Sequence, residues 1–386
     1  MTKSSTGPVR VLHVINDLSV GGAEMMLYKL LSHGDSRGFR HAVVSLGRRS
    51  TLDAGIEALG VPVYDIGMRP SKLPTPGQLR RLLSAVRHFK PDVIQGWMYH
   101  GCLAAELSRA AAARGARVVW SVHSCNNDLT REKRMTAAII RLCGRLSSRP
   151  SKIIYVSEAS RRQHEAMGYR PENAVVIPNG FDTTRFAPST EARAAVRAEL
   201  GVREDHLLIG LVGRFHPMKD HINFLRAASL LSEDCHAARF LLVGREVDAD
   251  NPVLRRLVVR WGLEDRAHLL GERSDIPRLI AASDICSLSS SYGESFPLVV
   301  GEAMACGVPC VVTDVGDAAR LVGPTGLVVP PRDSEALADA WRELIRLGSD
   351  GRAQLGEAAR ERVRENFQLA AVTAQYEALF RSVLQR

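Results

Sequence analysis

A chain of 386 residues, 45% of them hydrophobic and 24% charged, is too long for one ordinary core and suits two comparable α/β domains, which excludes disordered and fibrous classes. A formal charge of +9 predicts an anionic ligand or surface, and by itself does not choose among nucleic acid, acidic lipid and phosphorylated small molecules. No apolar run reaches the length of a membrane span and no signal-peptide core precedes the first strand-like run, so a cytoplasmic protein is expected.

Short apolar runs bounded by turn residues recur from the N-terminus: VLHVI at 11–15, HAVVSL at 41–46, DVIQGW at 92–97, RVVWSV at 117–122, KIIYVS at 152–157 and AVVIPN at 174–179. Helical stretches lie between them, and that alternation predicts a parallel sheet covered by helices on both faces. The turn-rich segment Pro178–Asp182 marks a boundary, placing a first domain at 1–183. The alternation then restarts with LLIGLVG at 207–213, RFLLVG at 239–244, AHLLG at 267–271, DICSLS at 284–289, PCVVT at 309–313 and GLVVP at 326–330, giving a second doubly wound domain at 184–366. The tail at 367–386 has helical apolar spacing with no strand after it and is expected to pack across the domain junction. The seven cysteines are scattered and form no Cys-x-x-Cys pair, which suggests neither a disulfide framework nor a zinc site.

Ligands of open α/β sheets bind at the carboxyl ends of the strands, so the residues that follow each strand carry the chemistry. After the first strand, Gly21-Gly22-Ala23-Glu24 opens a helix; paired glycines let backbone approach a ligand, although a plain strand-to-helix turn explains them as well. The Gly-x-Gly-x-x-Gly spacing is absent, which disfavours a nicotinamide-dependent oxidoreductase. His123 also follows a strand, where taken alone a structural histidine is the commoner case. Between 131 and 152, Arg131, Lys133, Arg134, Arg141, Arg145, Arg149 and Lys152 face the single acid Glu132, beside an apolar Ala-Ala-Ile-Ile. Two readings stand for this stretch: a helix lying on anionic lipid, or a solvated helix face whose apolar side belongs to the core.

The second half opens with VGRFHPMKD, in which Arg214 and Lys219 stand at a strand end ahead of a helix, a cationic pair suited to pyrophosphate oxygens. Asp248-Ala249-Asp250 resembles a metal-binding Asp-x-Asp, but it lies in a polar linker and a two-Asp match is common by chance, so no metal is assigned to it. The run from Gly293 to Gly307 is the most informative. Glu294 falls in a loop, Pro297 suits a helix start with Ser295 as a nearby cap, and Glu302 is the only charge between Ser295 and Asp314. Glu302 should therefore be largely buried, where it needs partners such as the two hydroxyls of a ribose, or an arginine or amide of the protein.

Gly21-Gly22-Ala23-Glu24, NGFDTTRF at 179–186, VGRFHPMKD at 212–220, Leu270-Gly271 with Arg273 and Asp275, and the pair Glu294 and Glu302 followed by AMACGVPCVVTDVG together resemble the retaining glycosyltransferases of family 4. The resemblance spans nearly the whole chain and implies the GT-B fold, with the reaction in a cleft between two Rossmann-like domains. It implies roles for single residues. Gly21 and Gly22 would approach the donor phosphates, Arg214 and Lys219 would bind the pyrophosphate, and the amides from Phe296 through Leu298 to Val299 would complete that site. Glu302 would take the ribose, Glu294 the transferred sugar, and the region of Gly271, Arg273 and Ile276 the base. His123 would stand near the sugar as a catalytic group alongside Glu294, Arg214 and Lys219.

HVINDLSVGGAE and QGWMYHGCLAA resemble bacterial enzymes that extend exopolysaccharide or O-antigen units on undecaprenyl-linked acceptors. A nucleotide-sugar donor, most simply a UDP-sugar, and a glycan or lipid-linked acceptor are thus expected, with no cofactor, no metal and no nucleic-acid partner, and with attachment to the inner face of the cell membrane as the lipid reading of residues 131–152. A GDP-mannose donor, a nucleotide-sugar epimerase of the same fold and a catalytically silent carbohydrate-binding protein are the alternatives.

Overall fold

The computed structural model describes residues 7–69, 73–125 and 129–385; residues 1–6, 70–72, 126–128 and 386 and the side chain of Arg131 lie outside that description. The chain forms two compact units, Met1–Gly180 together with Leu369–Arg386, and Phe181–Gln368. The divide falls inside the turn-rich segment noted above.

The first unit runs β1 (Val9–Ile15), α1 (Gly22–His33), β2 (Phe39–Ser45), α2 (Asp53–Ala58), β3 (Val63–Asp65), α3 (Pro76–Phe89), β4 (Val93–Trp97), α4 (Met98–Ala112), β5 (Arg117–Val122), α5 (Arg134–Leu146), β6 (Lys152–Tyr155), α6 (Glu158–Ala166) and β7 (Ala174–Val176). Its seven strands are parallel in the order β3-β2-β1-β4-β5-β6-β7. Successive side chains of a strand point to opposite faces, so β1 sends Val11 and Ile15 into one core and Leu12 and Val14 into the other. The first core is shared with the returning tail, α15 (Leu369–Leu384), whose Tyr376 stacks at 6.5 Å on Trp97 and whose Phe380 meets Phe39 at 6.2 Å.

The second unit runs α7 (Thr190–Leu200), β8 (Leu207–Val212), α8 (His221–Ser232), β9 (Ala238–Val243), α9 (Pro252–Arg260), β10 (Ala267–Leu269), α10 (Ile276–Ala281), β11 (Ile285–Leu288), α11 (Leu298–Ala305), β12 (Cys310–Thr313), α12 (Ala318–Val322), β13 (Gly326–Val329), α13 (Ser334–Arg346) and α14 (Gly348–Asn366). Its six strands, again parallel, take the order β10-β9-β8-β11-β12-β13. Both sheets therefore reverse direction of growth, between β1 and β4 in the first and between β8 and β11 in the second. At such a switch point the connections diverge to opposite faces and leave a crevice at the strand ends.

Helix α11 is fixed in place by close approach. Phe181, fully buried, lies so near Gly301 that a Cβ there would overlap the phenyl ring. Phe181 also stacks on Phe296 at 6.2 Å, and Phe296 meets Phe367 at 5.4 Å. At the other end the buried Arg360 donates to the carbonyls of Thr183, Phe186 and Ala305, tying the 183–186 segment to the last turn of α11. We expect Gly301→Ala to lower stability by about 1–3 kcal/mol, the usual cost of overpacking, because the buried ring has nowhere to go. Thermal melts of the variant read this, and an unchanged melting temperature would show that Phe181 is not held there.

Two buried histidines, His13 and His164, and the partly buried His41 set an acid limit on stability. Trp97 Nε1 donates to His13 Nδ1 at 3.3 Å, and His13 Nε2 lies 3.0 Å from His41 Nδ1. His164 is held between the Tyr99 hydroxyl at 2.9 Å and the Ser160 carbonyl at 2.7 Å. Burial, aided at His13 by the neighbouring His41, pushes His13 well down and lowers His41 and His164 to about 4. The unfolded chain takes up these protons near pH 6.5 and the folded one does not, so this stability is complete above about 6.5 and is lost as pH falls from there towards about 4. Melting temperature should drop through that window, and His164→Gln should flatten part of the drop; a level profile would contradict the burial of neutral rings.

Candidate functional site

The crevice between β8 and β11 holds the charges singled out in the second half. β8 ends at Val212, and a short turn of 3-10 helix at Pro217–Lys219 brings Lys219 back over the strand end. From the far side, the loop after β11 carries Ser290 and Glu294. Lys219 Nζ and Glu294 Oε1 are 2.5 Å apart, and Ser290 Oγ donates to the same carboxylate oxygen at 2.6 Å. Glu294 is only 7% exposed, so a loop acid that could have stood in solvent is instead buried with its donors. The two loops are stitched together. Ser289 Oγ donates to the Lys219 carbonyl at 2.7 Å, the Ser291 amide to the Met218 carbonyl at 2.8 Å, and Thr313 Oγ1 to the Ser290 carbonyl at 2.7 Å. Gly316, at φ +63°, passes so close to the Glu294 carbonyl that any side chain there would collide with it.

Arg214 stands at the same strand end, exposed, and pairs with no carboxylate among the described residues. The crevice thus offers one cation already engaged by a carboxylate and one held open. α11 begins at Leu298 with Pro297, not Ser295, in the N-cap position and no side-chain cap hydrogen bond there; Ser295 is buried, and its carbonyl accepts the Asp317 amide. First-turn amides without a side-chain cap favour an anion.

Glu302 departs from expectation. It is half-buried, because α11 buries Val300, Gly301, Ala303, Met304 and Ala305 while Leu298, Val299 and Glu302, spaced three and four apart, share the other face. The residues directly before and after it, Gly301 and Ala303, are therefore turned into the core while Glu302 is not. That stripe of two apolar side chains and one carboxylate is the accessible surface of the helix.

The region expected to meet a base is already occupied by charge. Arg273 donates to both carboxylate oxygens of Asp275 at 2.8 Å and to Glu199 at 3.0 Å, and Arg278 pairs with the same two acids. Hydrogen bonds from Arg273 and Arg278 hold the Asp275 and Glu199 carboxyls below their ordinary range. Gly271, at φ +67°, lies against Asp248 and donates to the Val247 carbonyl, and Ile276 opens α10. Asp248 spends its Oδ1 on the amides of Asp250 and Asn251, 3.1 Å each, as a turn-forming aspartate does.

In the first unit the expected residues lie at the other switch point. Gly21 caps α1 without a side-chain bond, and a Cβ at Gly22 would meet nothing of the protein, so internal packing does not require a glycine there. Met98 passes directly from β4 into α4 with φ +57°, a left-handed conformation unusual for such a side chain and of the kind that collects at functional sites. Its sulfur accepts the His123 amide at 3.3 Å, and the His123 ring stacks on the buried Trp97 at 5.0 Å. Both ring nitrogens of His123 are buried without a partner among the described residues, and burial lowers its pKa to about 3, so the ring is neutral at physiological pH. Sequence reasoning missed Ser290, Trp97 and Met98. A serine beside a glutamate carries no pattern of its own.

In the basic segment the apolar side of α5 packs into the core. Ala137, Ile140 and Cys143 of α5 are buried, whereas Arg134, Arg141, Leu142, Arg145 and Arg149 are exposed. No helix among the described residues is long and apolar enough to cross a membrane.

Two family models match in succession: one described as Glycosyltransferase Family 4 over residues 20–185, and one described as Glycosyl transferases group 1 over residues 206–346. Among curated proteins the chain is 32% identical over 195 residues to N-acetyl-alpha-D-glucosaminyl L-malate synthase of Bacillus anthracis, covering 49% of each. It is 30% identical over 184 residues to UDP-Gal:alpha-D-GlcNAc-diphosphoundecaprenol alpha-1,3-galactosyltransferase of Escherichia coli, covering 47% of this chain and 46% of that one. It is 26% identical to the putative glycosyltransferase EpsF of Bacillus subtilis over 92% of this chain and 94% of that one. The match spans about half the length of the first of these relatives. Among solved structures, Anabaena HepE in complex with UDP and glucose superposes with a TM-score of 0.83 at 25% identity, over 97% of this chain and 100% of that one. A family 4 model over the first sheet and a group 1 model over the second, on two Rossmann-like units, mean that the chain belongs to the GT-B glycosyltransferases of this family.

Proposed function

We propose that the protein is a retaining glycosyltransferase that moves a sugar from a UDP-sugar to a glycan or lipid-linked glycan acceptor in polysaccharide synthesis. The observation that carries the reading is the crevice of the second unit, where Lys219 pairs with the buried Glu294, Arg214 follows the same strand as Lys219, and α11 starts without a side-chain cap. In that reading the diphosphate takes Arg214, Lys219 and the amides of Phe296, Leu298 and Val299, Pro297 having no N–H to give. Glu302 accepts from the ribose hydroxyls, Leu298 and Val299 flank it, Glu294 accepts from the transferred sugar, and Gly22 leaves room for the phosphates. Neutral His123 offers a hydrogen bond to a sugar hydroxyl. The base lies along Gly271 and Ile276, with Arg273 held by its two acids beside it. Support for uridine comes from HepE, solved with UDP and glucose, and from the galactosyltransferase relative.

As the bond from sugar carbon to diphosphate oxygen breaks, negative charge gathers on the leaving group, and a preset cation stabilises it more than it stabilises the bound donor. Arg214→Ala and Lys219→Ala should each cut kcat/KM by roughly 10²-fold, the scale of losing one oxyanion donor. Two folded variants with near-normal turnover would remove the site from this crevice. With two cations and a helix start on the phosphates, turnover should persist in EDTA and in Asp248→Ala/Asp250→Ala. The product's anomeric configuration, read by NMR, should match the donor's α form; a β product would overturn retention.

The exposed cations of α5 also support a place on anionic membrane, with each cation at the surface contributing about 1 kcal/mol. Because the apolar side of α5 is in the core, the attraction is electrostatic. Vesicles containing acidic phospholipid should sediment the protein at low salt and release it at high salt, and changing Arg141, Arg145 and Arg149 to Glu should weaken the effect. Equal recovery in the supernatant with and without vesicles would rule out this attachment.

A further inference from the structure

Next to His123 the core of the first unit holds polar groups that apolar packing does not call for. β1 places the buried His13 between Val11 and Ile15, on the face of the sheet that α1 and α15 cover. β4 places the fully buried Trp97 on the same face, where its indole stacks with the Tyr376 ring at 6.5 Å, 5° from parallel, and with the His123 ring at 5.0 Å. A histidine in that place lowers stability wherever the unfolded chain takes up a proton, and an apolar side chain of the same volume would not.

The hydrogen bonds give each ring nitrogen a defined role. An indole N–H can only donate, so His13 Nδ1, 3.3 Å from Trp97 Nε1, is an acceptor. His13 is buried and neutral, so its proton sits on Nε2, and that N–H donates to His41 Nδ1 at 3.0 Å. The tautomer follows from a partner that cannot accept. Nε1 is the one polar atom of the Trp97 side chain, and its bond to His13 is the directional contact that sets the indole's orientation, because stacked rings tolerate offsets.

His123 takes its place from that platform. Its amide donates to Met98 Sδ at 3.3 Å, its two ring nitrogens have no partner among the described residues, and its ring rests on Trp97. A ring held by stacking keeps both nitrogens for a ligand and follows the indole when the indole moves. We infer that His13 is a positioning residue of the transfer reaction: its acceptor nitrogen holds the Trp97 indole, and the indole holds the His123 ring in the orientation that offers a hydrogen bond to the sugar. The inference rests on the transferase reading above, in which His123 meets a sugar hydroxyl.

Three substitutions separate positioning from packing. Asparagine carries an acceptor oxygen where Nδ1 stands, glutamine reaches to where Nε2 stands, and leucine carries neither. His13→Leu and His13→Gln should lower kcat for transfer from a UDP-sugar roughly tenfold with donor KM little changed, short of the roughly 10²-fold that a misplacement of about 1 Å can bring. His13→Asn should restore most of the rate. In a His123→Ala background His13→Leu should have no further effect on kcat, because the ring it orients is gone; a merely structural role lowers both backgrounds alike. A second measurement needs no turnover. In protein with nitrogen-labelled histidine, NMR should show His13 as the Nε2–H tautomer, and His123 ring signals that shift in His13→Leu and stay in place in His13→Asn. Melting temperature and UDP affinity establish that each variant is folded. A wild type that transfers no sugar overturns the transferase reading, and the ring signals still decide whether His13 orients His123. An Nδ1–H tautomer at His13, unmoved His123 signals in His13→Leu, or equal kcat losses in the two backgrounds would overturn the inference.

Discussion

A carboxylate that is 7% exposed must be held by donors, and in the second unit those donors come from the two sides of a sheet that reverses its order of growth. Lys219 reaches Glu294 from the end of β8, Ser290 reaches it from the end of β11, and neither strand alone could satisfy it. The ion pair is thus a direct consequence of topology. Parallel strands joined by helices bring their carboxyl ends to one edge, and the switch point separates two loops by enough to admit a ligand yet little enough for a lysine to cross. The groups that would stabilise charge on a leaving diphosphate are in place before any ligand arrives, which is where electrostatic stabilisation is most effective.

Much of the remaining second unit serves to keep α11 at that edge. The segment NGFDTTRF resembles a family motif, and its work is internal: Phe181 seats α11 through Gly301, the Asp182 carboxylate accepts the Thr184 and Arg185 amides at 3.0 Å each, and the carbonyls of Thr183 and Phe186 receive Arg360. A motif can therefore be functional without touching a ligand. The same division holds in the first unit, where Trp97 is fully buried among His13, His123 and Tyr376 and fixes the ring that stands at the strand end.

The sequence made the architecture legible because buried parallel strands are continuous apolar runs, and twelve of the thirteen strands among the described residues coincide with such runs. The exception, β3 (Val63–Asp65), is a three-residue edge strand with partly exposed side chains, too short for any periodicity to register. Strand-end reasoning also located Lys219 and Glu294, since position after a strand is visible in one dimension. Burial on a helix is less so: Glu302 looked enclosed by apolar residues, yet the 3.6-residue turn puts it on the open face with Leu298 and Val299. His13 was not legible as the partner of Trp97, because the two lie far apart in sequence and the pairing of β1 with β4 brings them together. The nearest signal was a histidine inside the apolar run VLHVI.

The central claim is that Lys219 is a diphosphate ligand held in reserve by Glu294. Calorimetric titration of UDP into Glu294→Gln, compared with wild type and accompanied by a turnover assay, tests it most directly. Removing the carboxylate charge frees the lysine while leaving the sugar only a neutral amide oxygen to donate to, so the variant should bind UDP at least as tightly as wild type and lose roughly 10²-fold in turnover. Weaker UDP binding together with undiminished turnover would contradict the account.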